Sequence, residues 1–168
     1  MTVKLIEMAK EQKAPRLEDA IILAAEAHRG QMDKGGKPYI LHVLRVLLRQ
    51  RDENAQIVAA LHDVIEDTHL TQADLRRAGY KGEICAAVDC LTRLEGEPYE
   101  DMIDRVAANP IAREVKLADL EDNMNLQRLG NPDETALVRM AKYKSAWSKL
   151  NADQDAEVRA TLPGVGQL

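Results

Sequence analysis

Leu61-His62-Asp63-Val64-Ile65-Glu66-Asp67-Thr68 is the stretch around which the rest of the chain is read. Set at 100° per residue, the segment from Ile57 to Asp67 predicts a helix with two unlike sides. His62, Asp63, Glu66 and Asp67 then share one arc of about 140°, from the spacing i, i+1, i+4, i+5. Ile57, Val58, Leu61, Val64 and Ile65 take the opposite arc. Three carboxylates so close together repel one another unless a cation or solvent compensates. One reading is a solvated acidic face. The other is an adjacent His-Asp pair offering nitrogen and oxygen to one divalent metal, with the acids of the next turn working on water.

Two further positions bear on that choice. His42 lies in a segment whose Leu41, Leu44, Val46, Leu47 and Leu48 are core residues of a predicted helix. Asp119 lies in another, with Ile111, Val115, Leu117 and Ala118. Spacing alone does not join these residues to His62 and Asp63.

The composition bounds the answer from outside. A chain of 168 residues fits one domain with a substantial core, and 45% hydrophobic with 30% charged residues is ordinary for a globular protein. With no Phe, one Trp and four Tyr, the core is built from Leu, Ile, Val, Ala and Met, which suits helices packed on helices. A net charge of −5 and the lack of a basic stripe argue against a nucleic-acid partner, though not against a nucleotide substrate. No apolar run reaches membrane-spanning length, and the charged Met1–Glu7 start is unlike a signal peptide. Cys85 and Cys90 do not form a CxxC pair and are expected to be buried free thiols in a reducing cytoplasm.

Helical periodicity recurs throughout, without a convincing alternating strand. Expected helices cover Val3 to Gln12, a segment from Pro15 to Gly30, Pro38 to Leu48, and the organising segment, with Asn54 as its cap. Gly30 to Lys37 reads as a mobile loop. Thr71-Gln72-Ala73-Asp74 predicts a capping box for a short helix ending at Gly79. Gly82 to Leu91 and Tyr99 to Ala108 are helical, with a polar loop over Thr92 to Pro98. Asn109-Pro110 opens a helix to about Leu129, and Asn131-Pro132-Asp133 opens one through Trp147 to Leu150. The C-terminal Pro163 to Leu168 is expected to fray. The fold class is all-α.

Three segments carry a family resemblance: Gly35-Gly36-Lys37-Pro38-Tyr39-Ile40-Leu41-His42, Ala59 to Thr68, and Val115-Lys116-Leu117-Ala118-Asp119-Leu120-Glu121-Asp122-Asn123. Together they resemble the HD superfamily, and more narrowly the small single-domain alarmone hydrolases of the RelA/SpoT homologue family. The resemblance implies one HD-type helical bundle over residues 1–168, with the motifs between about 24 and 143 and a C-terminal tail over about 151–168. It implies His42, His62, Asp63 and Asp119 as ligands of one divalent metal, Mn²⁺ by family, with Fe, Zn or Mg left open by an all-N/O donor set. It implies Glu66 and Asp67 as the catalytic pair that orients or deprotonates the attacking water.

The resemblance further implies hydrolysis of the 3′-pyrophosphate of (p)ppGpp to GDP or GTP and pyrophosphate. Substrate-binding positions are Lys34, Tyr39, Lys116, Asn123, Arg139 and Tyr143, with Asn123 toward the sugar and Arg139 and Tyr143 as a phosphate grip. Lys37 and Arg93 are weaker phosphate contacts, and His28 and His69 read as structural or surface residues. Where longer relatives carry an Arg nine residues before the first His, this chain has Asp33, which cannot grip phosphate as guanidinium does. A (p)ppApp hydrolase, a less selective nucleotide or NADPH phosphatase, and a catalytically silent nucleotide sensor are therefore the alternatives. The expected partner is a small nucleotide, with no nucleic acid or membrane, and with homo-oligomerisation left open. No synthetase domain fits in this length, so degradation alone is expected, in the cytoplasm.

Overall fold

The computed structural model describes residues 14–125 and 133–161, with side chains up to Ala152. The expected helix over Val3 to Gln12, the Asn131-Pro132 start and the Pro163 to Leu168 tail lie outside the described residues. Among those described there are eight helices and no strand, so the all-α reading holds.

The helices are α1 (Leu17–Ala27), α2 (Ile40–Leu48), α3 (Glu53–Leu61), α4 (Gln72–Ala78), α5 (Gly82–Leu91), α6 (Tyr99–Ala107), α7 (Pro110–Asn123) and α8 (Glu134–Thr161). α3 is the axis of the bundle, packed against α1, α2, α5 and α7. Its sequence explains why: Ala55 and every residue from Ile57 to Leu61 is buried, so it is apolar all round rather than on one stripe. α8 closes the bundle over α6 and α7 through the buried Ala146 and Leu150. Each such Leu or Ile taken out of water contributes about 1.5–3 kcal/mol.

The helix ends follow local chemistry. Thr71 and Asp74 form the expected reciprocal capping box, and α4 stops at Gly79, whose φ of 93° is the left-handed conformation that glycine adopts without a Cβ clash. Asn109 accepts from the Ala112 amide, with Pro110 next, as expected. For α3 the cap is Asp52 rather than Asn54: its carboxylate takes the amides of Asn54 and Ala55. Cys85 is buried and Cys90 only partly so.

Four boundaries depart from the periodic reading. α8 runs on to Thr161 instead of ending near Leu150, and α7 ends at Asn123 rather than near Leu129. α2 begins at Ile40, because Pro38 pairs with Met32 in an isolated bridge that closes the preceding loop. That loop is tied down further by Asp33, whose Oδ1 accepts from the amides of Gly35 and Lys37, both at 2.9 Å.

The fourth departure matters most for the site. The helix over Ile57 to Asp67 does not form as one piece: α3 ends at Leu61, and His62 to Asp67 follow in tight turns. His62 Nδ1 donates to the Ala59 carbonyl at 2.8 Å, occupying the acceptor that an unbroken helix would give to the Asp63 amide. The Val64 amide then bonds Leu61 O, three residues back, and the turn tightens.

Candidate metal centre

His62 and Asp63 leave the C-terminal end of α3, His42 comes from the first turn of α2, and Asp119 from the third turn of α7. Packing α2 and α7 on α3 brings the donors together. His42 Nε2 lies 3.2 Å from Asp119 Oδ1 and 3.8 Å from Asp63 Oδ2. His62 Nε2 lies 2.8 Å from Asp63 Oδ2 and 3.9 Å from Asp119 Oδ1. One donor atom from each of His42, His62 and Asp119 falls within 4.8 Å of the others, in a buried cluster that can hold a metal ion. Asp63, partly buried, borders it.

The ring orientations fit a cation. His42 Nδ1 bonds Asp122 Oδ2 at 2.6 Å and His62 Nδ1 bonds the Ala59 carbonyl. Carboxylate and carbonyl oxygens only accept, so each ring carries a proton on Nδ1 and turns Nε2 toward the cluster, where a metal ion would take the place of a second proton. His62 Nε2 is buried and makes no aligned hydrogen bond. A buried ring nitrogen of that kind, beside two carboxylates, matches what a divalent ion requires. The negative end of the α3 dipole points the same way.

The electrostatics agree. Burial opposes charge on His42, yet its hydrogen bonds to Asp119 and Asp122, with the Asp119 and Asp63 charges, push its pKa up to about 9. Burial likewise opposes ionisation of Asp119, but Lys116 and the two imidazoles hold its carboxyl well below the usual range. The pocket is one that draws positive charge.

Several residues assigned to substrate line the cavity and also hold other parts of the site. Lys116 is partly buried and pairs with Asp119 Oδ2 at 2.8 Å, so it braces a ligand. Asn123 donates to Asp119 Oδ1 at 2.5 Å. The Tyr39 hydroxyl donates to Asp63 Oδ2, also at 2.5 Å, and its ring lies between those of His28 and His42. The Arg93 guanidinium is engaged by the Glu97 carbonyl, and Lys37 is absent from the cavity wall. His28 is a buried structural residue, bonded to Gln31, which in turn holds the Asp67 carbonyl.

A cavity of about 400 Å³ opens from the cluster. Glu66 and Asp67 border it. Glu66 Oε2 accepts from the Arg93 amide at 3.1 Å, while partial desolvation and then the Asp63 charge raise the Asp67 pKa. Lys34, Arg139, Lys142 and Tyr143 also line it. Burial, then the charges of Arg139 and Lys142, depress the Lys34 pKa, the mark of cations gathered without enough counter-charge. Lys142 and Asp122 were not singled out as site residues in the sequence: Asp122 lies inside the Val115 to Asn123 motif without a role of its own there, and it acquires one through distant partners.

An all-helical bundle with two histidines and an aspartate converging from three segments defines an HD-type domain. No protein-family model matches the chain. It is 33% identical over 120 residues to the guanosine-3′,5′-bis(diphosphate) 3′-pyrophosphohydrolase of Vibrio cholerae, a match covering 69% of this chain and 17% of that protein. It is 31% identical over 138 residues to the bifunctional (p)ppGpp synthase/hydrolase SpoT of Escherichia coli, covering 74% and 20%. The chain thus spans about a fifth of the length of these curated relatives. A solved structure described as a metazoan ortholog of SpoT that hydrolyzes ppGpp superposes with a TM-score of 0.68 at 25% identity, covering 84% of this chain and 86% of that one. The chain belongs to the HD-type RelA/SpoT family.

Proposed function

We propose that this chain hydrolyses the 3′-pyrophosphate of (p)ppGpp, releasing pyrophosphate and GDP or GTP. The observation that carries the reading is that one cavity is lined both by a buried His-Asp cluster and by the cations Lys34, Arg139 and Lys142. A substrate with phosphates on both sides of a ribose can meet both groups at once. The names of the relatives supply the particular alarmone.

His42, His62, Asp63 and Asp119 would hold one divalent metal, and Mn²⁺ suits their nitrogen and oxygen donors. When bound, it supplies Lewis acidity and lowers the pKa of water. The chain's own residues do the rest. Glu66, oriented by the Arg93 amide, and Asp67, raised in pKa, take up the proton of the attacking water. Lys34, Arg139 and Tyr143 seat the remote phosphates, joined by Lys142. Lys116 and Asn123 keep Asp119 aimed at the centre while bordering the substrate space.

The motif-bearing part, about 24–143, belongs on this reading to one hydrolase domain. Among the described residues no helix is long and apolar enough to cross a membrane. A cytoplasmic location is part of the same proposal, supported by the free thiols of Cys85 and Cys90.

The test offers Mn²⁺-loaded protein ppGpp, ppApp, NADPH and deoxynucleoside triphosphates, with products separated by chromatography. Pyrophosphate with GDP from ppGpp is the expected result. Turnover of ppApp alone would move the assignment to the adenine alarmone. Release of orthophosphate would indicate a phosphatase, and binding without turnover a sensor.

A further inference from the structure

We infer that Asp122, anchored by Arg45, is a positioning residue for the metal centre: it fixes the His42 ring and thereby sets how tightly the site holds a divalent cation. The inference rests on the metal reading given under Proposed function and extends it to two residues outside the ligand set.

The geometry is a relay across two facing helices. On α2, His42 and Arg45 are three residues apart; on α7, Asp119 and Asp122 are three apart. Residues at that spacing share a helix face. The inner pair, His42 and Asp119, meets at the centre, and the outer pair, Arg45 and Asp122, meets behind it. Arg45 reaches Asp122 with Nε at 2.7 Å and Nη2 at 3.3 Å. Asp122 Oδ2 takes the His42 Nδ1 proton at 2.6 Å.

Asp122 is only 2% exposed, and a carboxylate so deeply buried is costly unless paired and hydrogen-bonded. Arg45, with a side chain 37% exposed, supplies a charge that keeps one foot in water. The two histidines thus differ. His62 is oriented by a neutral carbonyl, whereas His42 is oriented by a charged acceptor that locks its tautomer and makes the ring a stronger donor to a metal.

The test compares wild type, Asp122→Asn, Asp122→Ala and Arg45→Met. Zn²⁺ and Mn²⁺ affinities are measured by competition with a chelator of known strength. Ring-nitrogen NMR of the Zn²⁺-loaded protein follows the Nδ1 protons of His42 and His62. Asp122→Asn is expected to weaken metal binding about tenfold and Asp122→Ala up to about a hundredfold. The His42 Nδ1 proton should disappear from the Asp122→Ala spectrum while that of His62 persists, a readout that general loosening would not separate. Arg45→Met should speed exchange of the His42 proton with Asp122 present and change nothing further once Asp122 is Ala. Should Asp122→Ala fail to fold, the isosteric Asn and the half-exposed Arg45→Met carry the test. Affinities of both Asp122 variants equal to wild type would overturn the inference. Failure of wild type itself to bind either metal would overturn the metal reading, and this inference with it.

Discussion

The Tyr39 hydroxyl donates to Asp63 Oδ2 across 2.5 Å, so a residue just before α2 holds the carboxylate that follows α3. Burial first, then the charge and hydrogen bond of Asp63, push the Tyr39 pKa far above its ordinary value, so the hydroxyl keeps its proton and remains a donor. Tyr39→Phe retains the ring between His28 and His42 and deletes only that bond. Its expected effect is a loss of metal affinity of about tenfold, with the fold intact. Isothermal titration with Mn²⁺ checks it, and unchanged affinity would return Tyr39 to the role of a wall for the substrate.

Removing a ligand and removing a base should leave different signatures. Asp63→Ala takes a donor from the centre and is expected to abolish both metal uptake and turnover. Glu66→Gln keeps the Arg93 contact, removes the proton acceptor, and should bind metal as wild type does while losing roughly a hundredfold or more in kcat. Single-turnover kinetics with metal content measured in parallel separates the two. Near-full activity of Glu66→Gln would shift the base role to Asp67.

The cations that line the cavity should act on binding rather than on chemistry. Arg139→Ala and Lys142→Ala each remove a charge near Lys34, and the Lys142 ammonium sits 4.2 Å from the Tyr99 ring centroid. Each is expected to raise KM about tenfold with little change in kcat, the pattern of a uniform binding contact of roughly 1.4 kcal/mol. The KM of wild type should also rise with ionic strength more steeply than that of either variant.

The loop that presents Arg93 to Glu66 offers a pH test. Arg105 clasps the Glu97 carboxylate with Nε at 2.7 Å and Nη2 at 2.8 Å, and also reaches the carbonyls of Asp89 and Thr92. Its hydrogen bonds, with that of the Leu94 amide, hold the Glu97 pKa near about 2, below its ordinary 4.5. A depressed folded-state pKa means that the stabilisation is present above pH 4.5 and is lost as pH falls through about 2. Glu97→Gln should therefore be less stable than wild type at neutral pH and indistinguishable from it near pH 2. Urea unfolding at stepped pH measures the difference, and a constant gap across the range would contradict the assignment.

What the sequence by itself determined is the part of the fold written in neighbours. The 3.6-residue recurrence of Leu, Ile, Val and Ala gives a helical bundle, and short-range chemistry at Thr71-Asp74, Gly79 and Asn109-Pro110 marks helix ends where they stand. His42, His62 and Asp119 could be named together only through the family resemblance of their segments, since spacing does not join them, and the structure brings them into one cluster. Only the tertiary structure decided that α3 ends at Leu61, since a side-chain bond from His62 to Ala59 outcompetes helical propensity there. It also decided that Lys116 and Asn123 brace Asp119, and that Arg45 and Asp122 stand behind His42, at sequence separations of 77 and 80 residues from their partners. A polar side chain takes its role from whatever donor or acceptor packing brings within about 3 Å, and periodicity carries no information about that.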